Sequence, residues 1–178
     1  VDSSTTPTAL SPEEYDEPRD IKTVRLNRIK AAPLQLAAIS STQDRLNQSV
    51  FGQLHKELRG WQNSAFRRAY LGKGHGGQRR AFLVTFMGEG VSDAGGPYRA
   101  VFEQIVGELQ SDQISVGTKM QDRCLMPLFC PSPNRTGSLG TNQDKFILSP
   151  APSSPQTKEL AMFFGQLIGT AVRHNLTL

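Results

Sequence analysis

The chain has 178 residues, of which 37% are hydrophobic and 7% aromatic, so it is long enough for a single domain with a sizeable core, although its apolar content is modest. A net charge of +4, from 20 Lys and Arg against 16 Asp and Glu, comes without a basic tract, which argues against a nucleic-acid-binding function. Two cysteines are too few for a disulfide framework, and the longest apolar stretch, Leu160 to Val172, is shorter than the ~20 residues that span a bilayer.

The first twenty residues differ in composition from the rest of the chain. They are rich in Ser, Thr, Pro and acidic residues, which cannot bury much surface, and they predict a flexible linker over residues 1–20. This segment has no basic start and no apolar stretch, so no secretory signal is visible. With only two cysteines, the sequence predicts a cytoplasmic protein.

The next segment alternates apolar and basic residues. Val24 and Leu26, with Ile29 as a further candidate, predict a half-buried strand within residues 21–31, which Pro33 closes. Residues 31–48 fit either a short helix or a loop.

Two short helices are predicted next. Ser49 is a suitable cap for a helix that turns Val50, Phe51, Leu54 and Leu58 inward, and Gly60 ends it. A second helix is predicted from about Trp61 to Tyr70.

Residues 71–80 contain four glycines and predict a mobile basic loop. They lack the eight-residue phosphate-loop pattern, so we do not expect nucleotide binding. We interpret the nearby basic residues as a solvated face: Arg67, Arg68, Arg79 and Arg80.

The most informative stretch is FLVTFMGEGVSDAGGPYRAVF, residues 82–102. Its apolar start, Phe82 to Met87, predicts a strand covered on both faces, and the glycines between Gly88 and Gly96 predict a shaped turn. Pro97 fits the first helical position, and apolar residues then recur at helical spacing at Tyr98, Phe102, Ile105 and Leu109. Two carboxylates in the turn, Glu89 and Asp93, are expected to cap this helix rather than to bind metal.

The C-terminal third predicts a hairpin and a long helix. Residues 111–123 are polar and predict an exposed, irregular insertion, whereas Leu125 to Phe129 and Lys145 to Ser149 predict two short strands that pair. Thr157 is expected to cap a helix from Lys158 to His174, which is apolar over more than half its circumference and should be the most buried.

Two glycines of that last helix, Gly165 and Gly169, lie four residues apart on one face. Glycine is costly inside a helix, so we expect another backbone to pack closely there. The helix is then either a central core helix or a partner-binding face, and the sequence favours the core.

Three ordered motifs resemble one protein family. GEGVSDAGGPYRAVF resembles the glycine- and acid-rich signature near the start of HECT-type ubiquitin ligase domains; LFCPSPN with NQDKFILSP resembles the family's two short strands, and FFGQLIGTAVR its glycine-rich helix. With VRLNRIKA and SVFGQL upstream, the resemblance covers residues 21–178 and looks closest to the large HERC-type members.

The resemblance implies a mostly helical α+β fold: the first part of a HECT N-terminal lobe, with short strands and a hairpin, after a linker at residues 1–20. It implies the scaffold part of an E3 ubiquitin-protein ligase, which takes ubiquitin from an E2 as a cysteine thioester and passes it to substrate lysines. The E2-docking subdomain and the catalytic lobe would be absent, so this fragment alone is expected to be inactive. Ubiquitin, a ubiquitin-loaded E2 and protein substrates are the implied partners, with no cofactor, nucleic acid or membrane span. The alternative is a HECT-like scaffold that only binds partners.

No catalytic, cofactor-binding or metal-binding residue is predicted. The family's Thr-Cys-Phe-like sequence does not occur, and Cys124 and Cys130 are expected to be structural thiols. Arg99 and Arg173 match basic positions of the motifs and are expected to form structural salt bridges, with Glu89 or Asp93 as candidate partners.

Two further kinds of site are not expected. The histidines are too scattered for a metal site: His55, His75 and His174. Some members of the family bind a second ubiquitin through an aromatic residue near the hairpin, where this chain has Cys130 and Pro131 instead.

Overall fold

A computed structural model of the chain describes residues 21–71, 77–89, 96–111, 113–116, 119–122, 124–126, 128–150 and 154–178. The predicted linker at residues 1–20 lies outside this set, as do half of the glycine-rich loop, residues 72–76, and the turn at 90–95. Within the described residues, the chain forms seven helices and three two-stranded sheets, which is compatible with the predicted α+β class.

The central sheet joins the first predicted strand to the strand before the glycine-rich turn. β1 (Thr23–Leu26) and β2 (Leu83–Phe86) run parallel, with Val24 opposite Val84 and Leu26 opposite Phe86. These four apolar side chains are buried, whereas Thr85 on β2 is exposed. The prediction that β2 is covered on both faces is therefore wrong, because the polar residue at its third position faces solvent.

Four short helices fill the segment between these strands. Residues 31–48, which the sequence left open, form α1 (Pro33–Ala37) and α2 (Thr42–Gln48). Pro33 thus starts a helix rather than closing a strand, which suits its fixed φ and missing N–H, and Ile29 is 62% exposed rather than buried.

The predicted cap at Ser49 is confirmed. Its hydroxyl accepts a hydrogen bond from the Gly52 N–H at the start of α3 (Val50–Leu58). The following helix is shorter than predicted, since α4 spans only Asn63–Phe66, and Tyr70 then pairs with Arg80 in an antiparallel bridge.

The helix after the glycine-rich turn forms as predicted. α5 (Gly96–Leu109) has Pro97 in its first turn, and the apolar residues at helical spacing are buried: Tyr98, Val101, Phe102, Ile105 and Leu109. Gly88, at the start of the turn, has a φ of 85°, a conformation that favours glycine.

Two hairpins follow α5, and the sequence predicted only the second. The segment predicted to be irregular contains β3 (Gln113–Val116) and β4 (Lys119–Asp122), which are antiparallel. Its Gln-Ile-Ser-Val run alternates polar and apolar residues, a strand pattern that the high average polarity concealed.

The second hairpin pairs β5 (Phe129–Pro131) with β6 (Phe146–Leu148), as predicted, although β5 begins later than expected. A short helix, α6 (Pro133–Thr136), lies between them in the segment predicted as a turn.

The last helix, α7 (Pro155–Arg173), is only half covered. Its cap is Ser154 rather than Thr157, because the Thr157 N–H donates to the Ser154 hydroxyl at 3.1 Å. The inner face is buried at Leu160, Phe163, Leu167 and Ala171, and the Phe163 ring lies 5.6 Å from that of Phe51 and 6.1 Å from that of Phe66.

The outer face of α7 contradicts two predictions. Ile168 is 40% exposed and Val172 75% exposed, so α7 is not buried around its circumference. A Cβ atom added at Gly165 or Gly169 would meet no described heavy atom within 4 Å. Among the described residues, no backbone packs closely on the glycines.

Candidate functional site

The signature turn after β2 begins beside the turn after β1, because the two strands are parallel. This places the Glu89 carboxylate against the Arg28 guanidinium, which forms two hydrogen bonds with it. The guanidinium also lies over the Phe86 ring, 4.5 Å from the ring centre. Glu89 thus pairs with Arg28; the residues that precede α5, including Asp93, lie outside the described residues, so the predicted capping stays a prediction.

The other end of the signature is held by a buried histidine. Tyr98 of α5 and His174 after α7 lie 2.8 Å apart, from Oη to Nδ1, and His174 Nε2 lies 2.8 Å from the Arg68 carbonyl oxygen. That carbonyl can only accept, so Nε2 carries the proton and Nδ1 accepts from the Tyr98 hydroxyl. Burial lowers the pKa of His174 to about 4, so the ring is neutral at pH 7.

Gln78 links the Tyr98–His174 pair to Arg99 on the surface of α5. Gln78 donates to the His174 carbonyl at 3.1 Å and accepts from Arg99 Nε at 2.6 Å. Arg99 thus meets an amide through Nε, and its salt bridge stays a prediction, because Asp93 lies outside the described residues. Arg173 is exposed, and within the described part of the chain no acidic side chain lies within ion-pair distance of it.

Glu108 of α5 binds the start of α3. Its two carboxylate oxygens accept hydrogen bonds from the backbone N–H groups of Val50 at 2.9 Å and Phe51 at 3.0 Å. The side chain is almost fully buried, and this burial raises its pKa to about 7. The arrangement satisfies N–H groups that a helix start leaves without partners, so it links α5 to α3.

Two arginines are buried in the described fold. Arg45 donates to the carbonyl oxygens of Leu125 at 3.2 Å and Ile39 at 2.6 Å, and so joins α2 to the segment before β5. Arg80 is 1% exposed, so the prediction of a solvated basic face is wrong for this residue, while Arg67 and Arg68 are exposed. Sequence reasoning missed the roles of Arg45, Glu108 and His174, because polar residues at helix positions are normally expected on the outer face.

A mostly apolar cavity of about 500 Å³ lies between α1 and α5. Leu36, Gly107 and Leu125 contribute to its wall, and Arg28 and Glu89 also line it. Ser111 lines the cavity, but no histidine or cysteine stands among its described lining residues, and no group of three His, Cys, Asp or Glu side chains in the described residues is suited to a metal ion.

The two cysteines lie before β5 and within it. Cys124 and Cys130 are both half-buried and form no disulfide. His55 is distant from His174 in the sequence and contacts Glu159 at 3.1 Å. His75 lies outside the described residues.

A second cavity, of about 440 Å³, lies between α4 and the outer side of α7. We call it the α7 groove and define it by its lining residues, which are Asn63, Phe66, Arg67, Met162, Gly165, Gln166, Gly169, Thr170 and Arg173. The Thr170 hydroxyl donates to the Phe66 carbonyl at 3.1 Å, which fixes α4 against α7.

Across the described residues, no helix is long and apolar enough to cross a membrane.

Comparisons with known proteins find similar stretches in very large ligases. The chain is 34% identical over 125 residues to the human E3 ubiquitin-protein ligase HERC2, a match that covers 70% of this chain and 2% of that protein. The human probable E3 ubiquitin-protein ligase HECTD4 is 34% identical over 98 residues, 55% of this chain and 2% of its own length. A putative E3 ubiquitin-protein ligase of Plasmodium falciparum is 34% identical over 80 residues, 45% of this chain and 1% of its own length. No family model and no solved structure match the chain.

These matches confirm the resemblance to HECT-type, HERC-like ligases that the sequence motifs indicated. The chain spans only about 2% of the length of the two human relatives.

Proposed function

We propose that this chain is the first part of the N-terminal lobe of a HECT-type E3 ubiquitin-protein ligase and serves there as a scaffold. The observation that carries the proposal is the 34% identity over 125 residues to a relative named as an E3 ubiquitin-protein ligase. The packing of the three motifs into one unit supports it. Tyr98 of the signature helix bonds to His174 at the end of α7, and the hairpin residue Phe129 packs against Phe164, with 5.3 Å between the ring centres.

In the proposed reaction, a thiolate of the ligase attacks the thioester carbonyl that links ubiquitin to the E2, and the E2 thiolate leaves. A substrate lysine amine then attacks the new thioester, and the ligase thiolate is released. Both cysteines of this chain, Cys124 and Cys130, are half-buried. We infer that the chain holds other parts of the ligase in place and is inactive by itself.

The scaffold role fits the long-range polar links inside the fold. Glu108 joins α5 to α3, and Tyr98 joins α5 to the end of α7 across 76 residues. Each link satisfies polar groups that burial would otherwise penalise, so the three helices are fixed relative to one another.

The test uses the longer ligase that contains this segment, incubated with E1, ATP, ubiquitin and a panel of E2s. We expect a ubiquitin adduct that a thiol reductant removes and that disappears when the downstream catalytic cysteine is changed to alanine. The 178-residue chain, as the matched control, should form no adduct.

Two results would contradict the proposal. An adduct on the 178-residue chain that is lost in Cys124→Ala or Cys130→Ala would make this segment catalytic. A folded longer protein that forms no adduct with any E2 would instead favour a HECT-like scaffold that only binds partners.

A further inference from the structure

The cavity between α1 and α5 has the size and the lining of a small-molecule site. Its volume of about 500 Å³ falls within the ~300–1,000 Å³ of sites that enclose small ligands. Most of its wall is apolar, and the buried residues Ala31, Leu36 and Leu125 contribute to it. Ile29 and Gly107 also line the cavity and are exposed, so it opens to solvent beside them. A molecule of matching size can therefore enter and bury its apolar surface there.

Gly107 leaves one part of the cavity wall without a side chain. Glycine is unfavourable relative to alanine inside a helix, and a Cβ at this position would meet no described heavy atom within 4 Å. The packing of the described fold therefore does not require glycine here. Since Gly107 is part of the lining, a larger side chain at this position would take up space in the cavity.

One carboxylate on the wall has room for a further hydrogen-bond donor. Glu108 lines the cavity, and its Oε1 accepts hydrogen bonds from the Val50 N–H at 2.9 Å and the Gln104 amide at 3.3 Å. Its Oε2 accepts from the Phe51 N–H at 3.0 Å and from no other group in the described residues. A carboxylate oxygen has two lone pairs, so Oε2 can accept a second hydrogen bond. Within the described part of the chain, no cationic side chain lies within ion-pair distance of Glu108.

The other charged groups on the wall are paired with each other. Arg28 and Glu89 form two hydrogen bonds, and the Arg28 guanidinium also lies over the Phe86 ring. An anionic ligand would have to compete with Glu89 for Arg28, and it would share the cavity with the carboxylate of Glu108. A cation instead meets a carboxylate that has no cationic partner in the described fold. The charge of the wall therefore favours a cationic ligand over an anionic one.

We propose that the cavity between α1 and α5 binds a small apolar molecule that carries one basic amine. The apolar body of the ligand lies against Leu36 and Leu125, and its ammonium group donates a hydrogen bond to Oε2 of Glu108. A charge-assisted hydrogen bond of this kind is roughly twice as strong as one between neutral groups. The inference goes beyond the proposed function and does not depend on it, because it uses only the lining of the cavity.

The test compares three probes that share one ring system. Naphthylethylamine, naphthylethanol and naphthylpropionic acid have similar apolar bodies and carry a cation, a neutral hydroxyl and an anion at neutral pH. Isothermal titration calorimetry with the 178-residue chain, and with the longer ligase that contains it, measures each Kd. We expect the Kd of the amine to be about tenfold lower than that of the alcohol, and the acid to bind most weakly.

Two variants assign the binding to this cavity. Glu108→Gln removes the negative charge, so the Kd of the amine should come within about threefold of that of the alcohol. Gly107→Leu fills the cavity and should weaken the binding of both probes by about tenfold or more. Because an added Cβ at Gly107 has open space, this second variant keeps the test valid if Glu108→Gln unfolds the chain. Gln62→Leu, at an exposed position before α4 whose side chain makes no capping hydrogen bond, is the control and should leave both Kd values unchanged.

The pH dependence of binding checks the role of the carboxylate. Burial raises the pKa of Glu108 to about 7, and a bound ammonium group favours its ionised form. An alkylamine stays protonated near neutral pH, as lysine does. The affinity for the amine should therefore rise from about pH 6 to about pH 8, whereas the affinity for the alcohol should not. Of the described lining residues, only Arg28 and Glu89 carry other ionisable side chains, and they are paired with each other.

Four results would overturn the inference. If none of the three probes binds, the cavity is not a ligand site. Equal Kd values for the amine and the alcohol would show that Glu108 does not select a cation, and tighter binding of the acid would assign recognition to Arg28 instead. If Gly107→Leu leaves the Kd of the amine unchanged, the probe binds somewhere other than this cavity.

Discussion

The Tyr98 hydroxyl lies 2.8 Å from Nδ1 of His174 and joins the signature helix to the end of α7. The same oxygen accepts a hydrogen bond from the Ala81 N–H at 3.2 Å, so it also contacts the segment that leads into β2. One side chain thus connects three segments that are distant in the sequence.

Removing that hydroxyl should destabilise the fold. Tyr98→Phe leaves the Ala81 N–H and His174 Nδ1 buried without this partner, and we expect a loss of about 1 to 3 kcal/mol in the free energy of unfolding. Urea denaturation followed by fluorescence measures it. Tyr70→Phe, at a half-buried tyrosine, is the control and should change stability by less than about 0.5 kcal/mol. If Tyr98→Phe costs no more free energy of unfolding than Tyr70→Phe, the hydrogen bonds of the Tyr98 hydroxyl do not stabilise the fold.

Stability should depend on pH in opposite ways through His174 and Glu108. The folded pKa of His174 is about 4, below its ordinary value of 6.5, so the unfolded chain takes up the proton first as the pH falls. This group therefore reduces stability from pH 6.5 down to pH 4, by up to about 3 kcal/mol. The folded pKa of Glu108 is about 7, above its ordinary value of 4.5, so its contribution is present below pH 4.5 and lost as the pH rises towards 7.

Single variants separate the two effects. In Glu108→Gln, the free energy of unfolding should rise from pH 4.5 to 6.5 because only His174 remains, whereas in His174→Asn it should fall over the same range. In the unsubstituted chain, the free energy of unfolding should change less between pH 4.5 and 6.5 than in either variant. The measurement is urea denaturation at several pH values, and the same pH profile in all three proteins would refute the assignment.

Gly52 should tolerate no side chain. A Cβ atom at this position would lie 1.7 Å from the Leu46 carbonyl oxygen, a backbone atom that cannot rotate away. We expect Gly52→Ala to cost about 3 kcal/mol, because α3 would have to move from the end of α2. Gly107→Ala, with open space at its Cβ, should instead stabilise the chain by about 1 kcal/mol. If Gly52→Ala leaves the free energy of unfolding unchanged, the close contact between the start of α3 and the Leu46 carbonyl is refuted.

The Arg28–Glu89 pair at the signature turn should contribute little to stability. Because the Arg28 side chain is 43% exposed, we expect Glu89→Gln to cost less than about 1 kcal/mol, and less still in 1 M salt. Arg28→Ala should cost more than Glu89→Gln, since it also removes the contact with the Phe86 ring. A double-mutant cycle at low and high salt tests this order, and a cost that does not change with salt would argue against an ion pair.

Local patterns predicted several elements correctly. The cap at Ser49, the start of α5 beside Pro97 and the pairing of β5 with β6 all follow from residues within a few positions of one another. The candidate site was less predictable: the resemblance located the signature stretch, but it predicted neither Arg28 as the partner of Glu89 nor Gln78 as a partner of Arg99. Those partners lie 61 and 21 residues away, and local spacing carries no information about them.

The sequence by itself determined the order of most helices and strands and the resemblance to HECT-type, HERC-like ligases, because caps, turns and apolar periodicity act over a few residues. Only the tertiary structure decided which polar groups are buried and which apolar face is left open. Glu108 and Arg80 are on the inside, whereas Met162 and Val172 of an apolar helix are on the outside. Burial depends on which segments meet across the fold, and hydrogen bonding then determines whether a buried polar group is tolerated.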